Sequence, residues 1–301
     1  MKHMSDMRKC IQNNDNDFIV VIDQDETLIS RLSGYAIVSR ISDLEEIERV
    51  ERSIHTPTKL HCVVFEDRYC SLSSLEFKKE WEGIPLHLFI GSIGDFFAFS
   101  EKIKMLRQLS IRIFLYADHL QSITDVRILS SLGIYTGLVL PQDFTFWDEL
   151  DDLISYAIYG RANHAPIEPF GYFCSNYNNS ICLDPREVYF NSPKKFIHVD
   201  VNENIALNRE DLLNKKFVAH GVENIAGLRM NEAFLENAHA WQNYFLLENG
   251  CAYCPAWRIC QGYFDSSDNQ MCRDININLL EAVELFRNNL SLVNNKKLCQ
   301  L

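Results

Sequence analysis

The chain has 301 residues, of which 47% are hydrophobic and 23% charged, so wholesale disorder is excluded. Its 29 Lys and Arg stand against 41 Asp and Glu, a net charge of −12. Because phosphate groups are contacted mainly by Lys and Arg, we expect no nucleic-acid partner and no membrane partner. The longest apolar run near the start, residues 18–22, is too short to span a membrane, and residues 1–15 lack the apolar core of a signal peptide. We therefore expect a cytoplasmic protein.

Short apolar runs alternate with amphipathic stretches between residues 17 and 165. Strands that alternate with helices in this way indicate a parallel sheet, and five such units are too few to close an eight-stranded barrel. The predicted fold class is α/β, with a partial barrel or a doubly wound sheet. The predicted strands are Phe18–Ile22, Leu60–Phe65, Leu86–Ile90, Ile111–Tyr116 and Tyr135–Leu140, and the predicted helices are Ser42–His55, Ser100–Leu109, Gln121–Leu132 and Phe146–Tyr159.

The composition changes near residue 165, where residues 163–170 hold two prolines and residues 175–180 are polar. We therefore divide the chain into two domains, 1–170 and 171–301. In the second domain the predicted strands are Glu187–Phe190, Lys195–Val201 and Lys216–His220, and the predicted helices are Met230–Leu247 and Ile275–Asn289.

Four of the ten cysteines, Cys251, Cys254, Cys260 and Cys272, fall within 22 residues. The first two are separated by two residues, a spacing that lets both sulfurs bind one centre. Four thiolates suit either tetrahedral zinc or an iron–sulfur cluster. Zinc sites more often show two close pairs, so the spacing favours iron, with zinc or unligated buried thiols as alternatives. The side chains expected to exclude water are Tyr253, Trp257, Ile259, Tyr263 and Phe264.

The segment Cys251–Phe264 resembles the Cx2Cx5C core of the SPASM domain, the auxiliary iron–sulfur module of many peptide-modifying radical-SAM enzymes. Residues 196–207 resemble the β-hairpin that opens this module, and residues 220–225 resemble its following turn, so the likeness covers about residues 185–290. It implies one 4Fe–4S cluster held by the same four cysteines. A second cluster would need further cysteines, but Phe264 occupies one position, and Leu207 or Asn208 the other.

The first domain is consistent with the partial (β/α) barrel that precedes such modules, but the chain has no CxxxCxxC motif for S-adenosylmethionine cleavage. It therefore resembles pseudo-radical-SAM proteins, and most closely the CXXX-repeat peptide maturases. This resemblance implies a role in maturation of a ribosomally synthesised peptide, with a precursor peptide or a partner maturation enzyme bound and electron relay as one role of the cluster. It leaves open whether the chain is a maturase or a non-catalytic partner, and it identifies no catalytic residue.

The first predicted strand is followed by Asp23-Gln-Asp25-Glu-Thr27, which also fits the DxDxT signature of haloacid-dehalogenase phosphatases. In that alternative Asp23 attacks phosphorus, Asp25 acts as acid and base, and both help to bind Mg²⁺. The other required groups would be Ser92, Lys195 and Asp200. Asp200 is followed by Glu203 rather than by a paired Asp, which favours an acidic turn without phosphatase chemistry.

Overall fold

The computed structural model describes residues 18–54, 58–141, 143–239, 242, 246, 250–264 and 269–298. Ten strands within these ranges form a single hydrogen-bonded sheet. The strands are β1 Ile19–Asp23, β2 Ala36–Ile41, β3 Lys59–Ser71, β4 Leu86–Ser92, β5 Arg112–Tyr116, β6 Tyr135–Val139, β7 Ile167–Glu168, β8 Phe196–Val199, β9 Asn204–Ala206 and β10 Ala219–His220.

The order of the strands across the sheet is β10-β9-β8-β1-β2-β3-β4-β5-β6-β7. The eight strands from β8 to β7 are all parallel to their neighbours, whereas β9 and β10 add an antiparallel edge. This arrangement confirms the predicted α/β class with a parallel sheet. All carboxyl ends of the parallel strands therefore lie at one edge of the sheet, and all amino ends at the opposite edge.

Helices connect the parallel strands and pack on the sheet. The long C-terminal helix contacts two of them, Trp147–Tyr159 and Phe170–Asn176. The helices in the described residues are α1 Glu26–Arg31, α2 Ile47–Ser53, α3 Phe96–Leu109, α4 Leu120–Ser131, α5 Trp147–Tyr159, α6 Phe170–Asn176, α7 Arg209–Leu213, α8 Glu232–His239, α9 Trp257–Cys260 and α10 Gln270–Leu298. None of them is long and apolar enough to cross a membrane.

The five strands predicted before residue 165 are confirmed, and so are the four helices, with altered ends. Strand β2 was missed, because Ser39 and Arg40 interrupt its apolar pattern. The strand predicted at Glu187–Phe190 is wrong. A 3-10 helix runs over Pro185–Tyr189 instead, with the proline at its start, where a missing backbone N–H costs nothing.

The second predicted domain contributes to the same sheet as the first, because β8 pairs in parallel with β1. The division at residue 170 itself stays a prediction. The helix predicted at Met230–Leu247 begins as α8, and its remaining residues lie largely outside the described ranges. The final predicted helix, Ile275–Asn289, is confirmed within α10.

The sheet curls around the side chain of Phe190. The Phe190 ring lies 5.1 Å from the His87 ring on β4 and 5.5 Å from the Phe196 ring on β8, measured between centroids. Four strand spacings separate β4 from β8, which in a flat sheet is about 19 Å. One phenyl ring can contact both strands only if the sheet bends toward it. Val21, Val38 and other side chains from the same face join Phe190 in one buried cluster.

His198 of β8 is buried on this curled face, where its Nε2 lies 3.0 Å from the carbonyl oxygen of Phe190. Burial and the nearby positive charge of Arg40 lower the pKa of His198 to about 3, while the hydrogen bond to Phe190 acts in the opposite direction. The folded protein therefore holds this imidazole neutral at neutral pH. The unfolded chain binds a proton near the ordinary histidine pKa, so protonation opposes folding as the pH falls.

We predict that the free energy of unfolding falls as the pH drops from about 6.5 toward about 3, with His198 contributing up to ~1.4 kcal/mol per pH unit. Denaturant unfolding followed by circular dichroism at several pH values measures this slope. His198→Gln should flatten it, because the titrating group is gone, whereas His119→Gln, at an exposed position, should not. An unchanged slope in His198→Gln would show that other groups account for the acid sensitivity.

Candidate functional site

Charged side chains from three neighbouring strands meet at the carboxyl edge of the sheet. Asp23 ends β1 and lies opposite Arg40 of β2. The guanidinium of Arg40 forms an ion pair with Glu66 of β3, and its Nε lies 4.0 Å from Asp23 Oδ1. Arg209 of α7 reaches the same place, with Nη1 3.7 Å from Asp23 and Nε 3.7 Å from Glu66. Two arginines and two carboxylates thus alternate and neutralise one another.

We call Asp23, Arg40, Glu66 and Arg209 the carboxyl-edge ion network. The strength of its ion pairs depends on how deeply each side chain is buried. The Arg40 side chain is only 11% exposed, whereas Asp23 is 60% exposed. Burial, together with the positive charge of Arg209, lowers the pKa of Arg40 to about 10, and the charge of Asp23 opposes this shift. Arg40 therefore stays protonated at neutral pH and depends on the two carboxylates for compensation.

Tyr116, at the end of β5, extends the network. Its hydroxyl donates a 2.5 Å hydrogen bond to Glu66, and burial raises the pKa of Tyr116, so the phenol stays protonated. The guanidinium of Arg68 lies 5.3 Å from the Tyr116 ring centroid and binds Asp118 through two hydrogen bonds of 2.7 and 2.5 Å. The carboxyl edge is therefore a polar layer in which Asp23, Glu66 and Asp118 each have a cationic partner.

A small cavity of about 250 Å³ opens beside Asp23, Arg40, Glu66 and Arg209. Its volume lies below the range of about 300–1,000 Å³ that is common for ligand pockets. The exposed Asp23 carboxylate stands between two guanidinium groups, an environment that stabilises its charge and weakens it as a nucleophile. This arrangement favours a structural network with room for a small polar molecule.

The structure separates the residues that a phosphatase would need. Asp25 caps α1, with its Oδ1 accepting a hydrogen bond of 2.7 Å from the Leu28 amide. Asp200 closes a turn by accepting from the amides of Asn202 and Asn204. Ser92 and Asp200 lie at the carboxyl edge with Asp23, but Lys195 precedes β8 at the amino edge. Lys195 is therefore not brought together with the other four groups.

The four clustered cysteines lie on short helical turns and at the start of α10. Cys251 belongs to a 3-10 helix over Gly250–Tyr253, Cys260 ends α9, and Cys272 lies in the first turn of α10. The Cys254 amide donates to the Cys251 carbonyl at 3.2 Å, which holds the first two in a tight turn. All four are thiols without disulfides; Cys260 and Cys272 are buried, and the other two are half-buried.

The sulfur of Cys260 is the best-prepared ligand of the four. Burial raises its pKa to about 11, while the nearby backbone amides of residues 262–264 act in the opposite direction. These amides can face it because Gln261 adopts a left-handed conformation, with φ of 49°, that turns the chain back. Amide donors of this kind stabilise a metal-bound thiolate. At Cys272 the side-chain amide of Asn276 lies 3.4 Å from the sulfur.

The four thiols therefore have the chemistry of a thiolate metal site, but their sulfurs are not arranged around one common centre. Among the described residues, no three His, Cys, Asp or Glu side chains are grouped closely enough to hold one metal ion. The negative charge of a Cys251 thiolate would raise the pKa of Cys260, which indicates that at least these two sulfurs lie near each other. The ligand set, the 4Fe–4S cluster and the zinc alternative stay predictions.

The expected apolar lining around the cysteines is correct in part. Ile259 and Phe264 are buried, and the Tyr263 ring stacks on Tyr189 with centroids 5.3 Å apart. Tyr253 was assigned wrongly, because its side chain is 73% exposed. Tyr253 lies on a short 3-10 turn whose outer side faces solvent, so an aromatic next to a cysteine need not point toward it.

Sequence reasoning missed Arg40, Glu66 and Arg209, the centre of the carboxyl-edge ion network. A usable signal existed in β3, where Glu66 and Arg68 continue the alternation of Cys62 and Val64 on one face. We ended that strand at Phe65, so these two charges fell outside it. Arg209 carried no such signal, because it comes from a short helix far along the chain.

Comparisons of the chain with protein-family models, with curated proteins and with solved structures found no match. The function is therefore argued from the residues and their arrangement.

We predict that Glu66→Gln destabilises the protein by about 3 kcal/mol, because it leaves the buried Arg40 guanidinium short of its closest countercharge. Denaturant unfolding at neutral pH measures this loss. The matched control is Asp118→Asn, which breaks the more exposed pair with Arg68 and should cost less than about 1 kcal/mol. Equal losses in the two variants would mean that burial of Arg40 does not set the strength of the network.

Proposed function

We propose that this chain is a radical-SAM-like protein without a SAM-cleaving motif, that it carries one 4Fe–4S cluster on Cys251, Cys254, Cys260 and Cys272, and that it takes part in maturation of a ribosomally synthesised peptide. The observation that carries the proposal is the placement of four thiols within residues 251–272, with Cys260 and Cys272 buried and the backbone of residues 262–264 turned toward Cys260. A cluster held by four thiolates supplies structural support or one-electron transfer, because no iron is left open to substrate.

The finer fold assignment, a partial (β/α) barrel followed by a SPASM-like module, belongs to this proposal. The parallel strands follow one another in sequence order from β1 to β7, with β8 beside β1, as they do in a singly wound barrel. The curl of the sheet around Phe190 supports the same assignment. The described residues show no pairing between β7 and β8, so the proposed barrel is open at this seam.

Exposed aromatic side chains near the carboxyl edge support a role in binding a peptide or a partner enzyme. Tyr69 on the outer part of β3 is 96% exposed, and Phe97 at the start of α3 is 80% exposed. Exposed apolar groups that form a contiguous patch mark interaction surfaces, and the Phe97 ring lies 6.4 Å from the ring of Phe96, which is 51% exposed. Since β3 and β4 are neighbours in the sheet, these side chains flank the same edge.

The cluster is tested by iron, zinc and sulfide analysis of anaerobically purified protein, with an optical spectrum. We expect iron and sulfide in equal amounts and a broad absorption near ~400 nm. Cys260→Ser should lose both and destabilise the fold, because metal ligation and folding are coupled. The control Cys70→Ser should retain them. The alternative function is a zinc-stabilised adaptor, which needs neither iron nor turnover, and colourless protein with stoichiometric zinc would favour it over the cluster. Equal losses in both variants would mean that the wrong ligands were chosen.

The absence of CxxxCxxC predicts that the protein forms no 5′-deoxyadenosine from S-adenosylmethionine. The measurement is incubation of the anaerobic protein with S-adenosylmethionine and dithionite, followed by chromatography. The control is the same protein stripped of metal, which sets the background. Product above this background would contradict the prediction and would require an iron site that the four cysteines do not explain.

A further inference from the structure

A large cavity lies at the amino edge of the sheet, opposite the carboxyl-edge ion network. Its volume is about 720 Å³, within the range of about 300–1,000 Å³ that is common for small-molecule sites. The side chains that matter for its chemistry are His61, His87, Arg112, Glu168, Phe190 and Lys195. They come from β3, β4, β5, β7 and the segment that leads into β8, so the curled sheet itself forms the wall of the cavity.

His87 in this wall has an unused polar atom. The side chain is only 9% exposed, and its Nδ1 has no hydrogen-bond partner in the described part of the chain. Burial and the positive charge of Arg112 lower the pKa of His87 to about 3, so the imidazole is neutral. Because this nitrogen is buried from solvent, the neutral ring of His87 forms part of the wall beside its strand neighbour Arg112.

Arg112 gives the cavity a positive charge that no carboxylate pairs with. It lies at the start of β5 on the face shared with Phe114, close enough to lower the pKa of both His61 and His87. Within the described ranges it forms no ion pair, and its guanidinium lies 5.7 Å from the Tyr135 ring centroid.

The carboxylates that line the cavity are already engaged. Glu168 accepts a 2.8 Å hydrogen bond from the Tyr172 amide; burial raises its pKa, while that hydrogen bond and the positive charge of Arg112 act in the opposite direction. Glu187 lies 3.4 Å from the amine of Lys195, and Glu82 accepts from Gln108 at 3.0 Å. Of the charged side chains named here, Arg112 is the one left without a hydrogen bond or an ion pair in the described residues.

We propose that this cavity binds a small aromatic carboxylate. The planar guanidinium of Arg112 matches a carboxylate in a two-point hydrogen bond. The rings of Phe190 and Phe196 on the cavity wall offer an apolar surface for the aromatic body of the ligand. The site lies apart from the cysteines, so it stands whether or not a cluster is bound.

The test is isothermal titration of the full-length protein with 2-naphthoate as the probe. Two comparison probes separate the contributions: 2-naphthamide has the same rings without the charge, and inorganic phosphate has the charge without the rings. We expect saturable binding of 2-naphthoate below about 10 mM, and at least tenfold weaker binding of each comparison probe. No saturable binding of 2-naphthoate would overturn the proposal, and so would a comparison probe that binds equally well.

Variants connect the binding to the cavity. Arg112→Gln should weaken 2-naphthoate about tenfold or more, since a hydrogen bond to a charged group is lost, while Arg112→Lys should retain part of the affinity. The matched control is Arg107→Gln, at an exposed arginine on α3 outside the cavity, with unchanged affinity expected. Circular dichroism verifies that each variant is folded. Full affinity in folded Arg112→Gln, or an equal loss in Arg107→Gln, would refute the site.

Discussion

The arrangement of this protein depends on Phe190, whose ring fills the concave face of the sheet and contacts β3, β4 and β8 at once. Its backbone is left-handed, with φ of 57°, a conformation that costs energy in a residue with a bulky side chain. The 3-10 turn over Pro185–Tyr189 ends there, and the carbonyl of Phe190 accepts from His198. Packing of the ring against several strands offsets that cost, and bending of the sheet follows from the same contacts.

The curled sheet separates two polar layers by an apolar one, because side chains on one face recur at every second residue. In β5 this places Arg112 at the amino edge, Phe114 in the middle and Tyr116 at the carboxyl edge. At the carboxyl edge the charges are balanced by partners within the chain, which favours rigidity. At the amino edge Arg112 has no ion-pair partner in the described part of the chain, which favours an external ligand. The charge balance therefore points to ligand binding at the amino edge.

The α/β class could be predicted from the sequence because the buried strands are nearly continuous apolar runs, as in Leu86–Ile90. The clustered cysteines were equally visible, since their spacing is local. What could not be predicted depends on distant residues. In the sequence, Arg40 interrupts an apolar strand pattern, and only the structure shows that it pairs with Glu66 and lies near Arg209. Phe190 resembles the last residue of a strand in the sequence, and only its ring contacts show its role in the core. Asp25 shows why the DxDxT alternative could not be settled from the sequence, because an acidic motif that suggests catalysis also suits the cap of α1.

The cysteine segment and the amino-edge cavity are joined through a pair of aromatic rings. Tyr263 follows Cys260 by three residues, and its ring stacks on Tyr189, the neighbour of Phe190. The Tyr189 hydroxyl also donates to the Leu138 carbonyl on β6 at 2.7 Å. Cys260 and Cys272 belong to the same buried cluster as α5 and the outer face of the sheet, so ligation at these sulfurs would stiffen residues that pack directly on the core. The Tyr263 ring therefore packs on the residue that immediately precedes Phe190, so the cysteine segment lies against the segment that supplies the cavity wall.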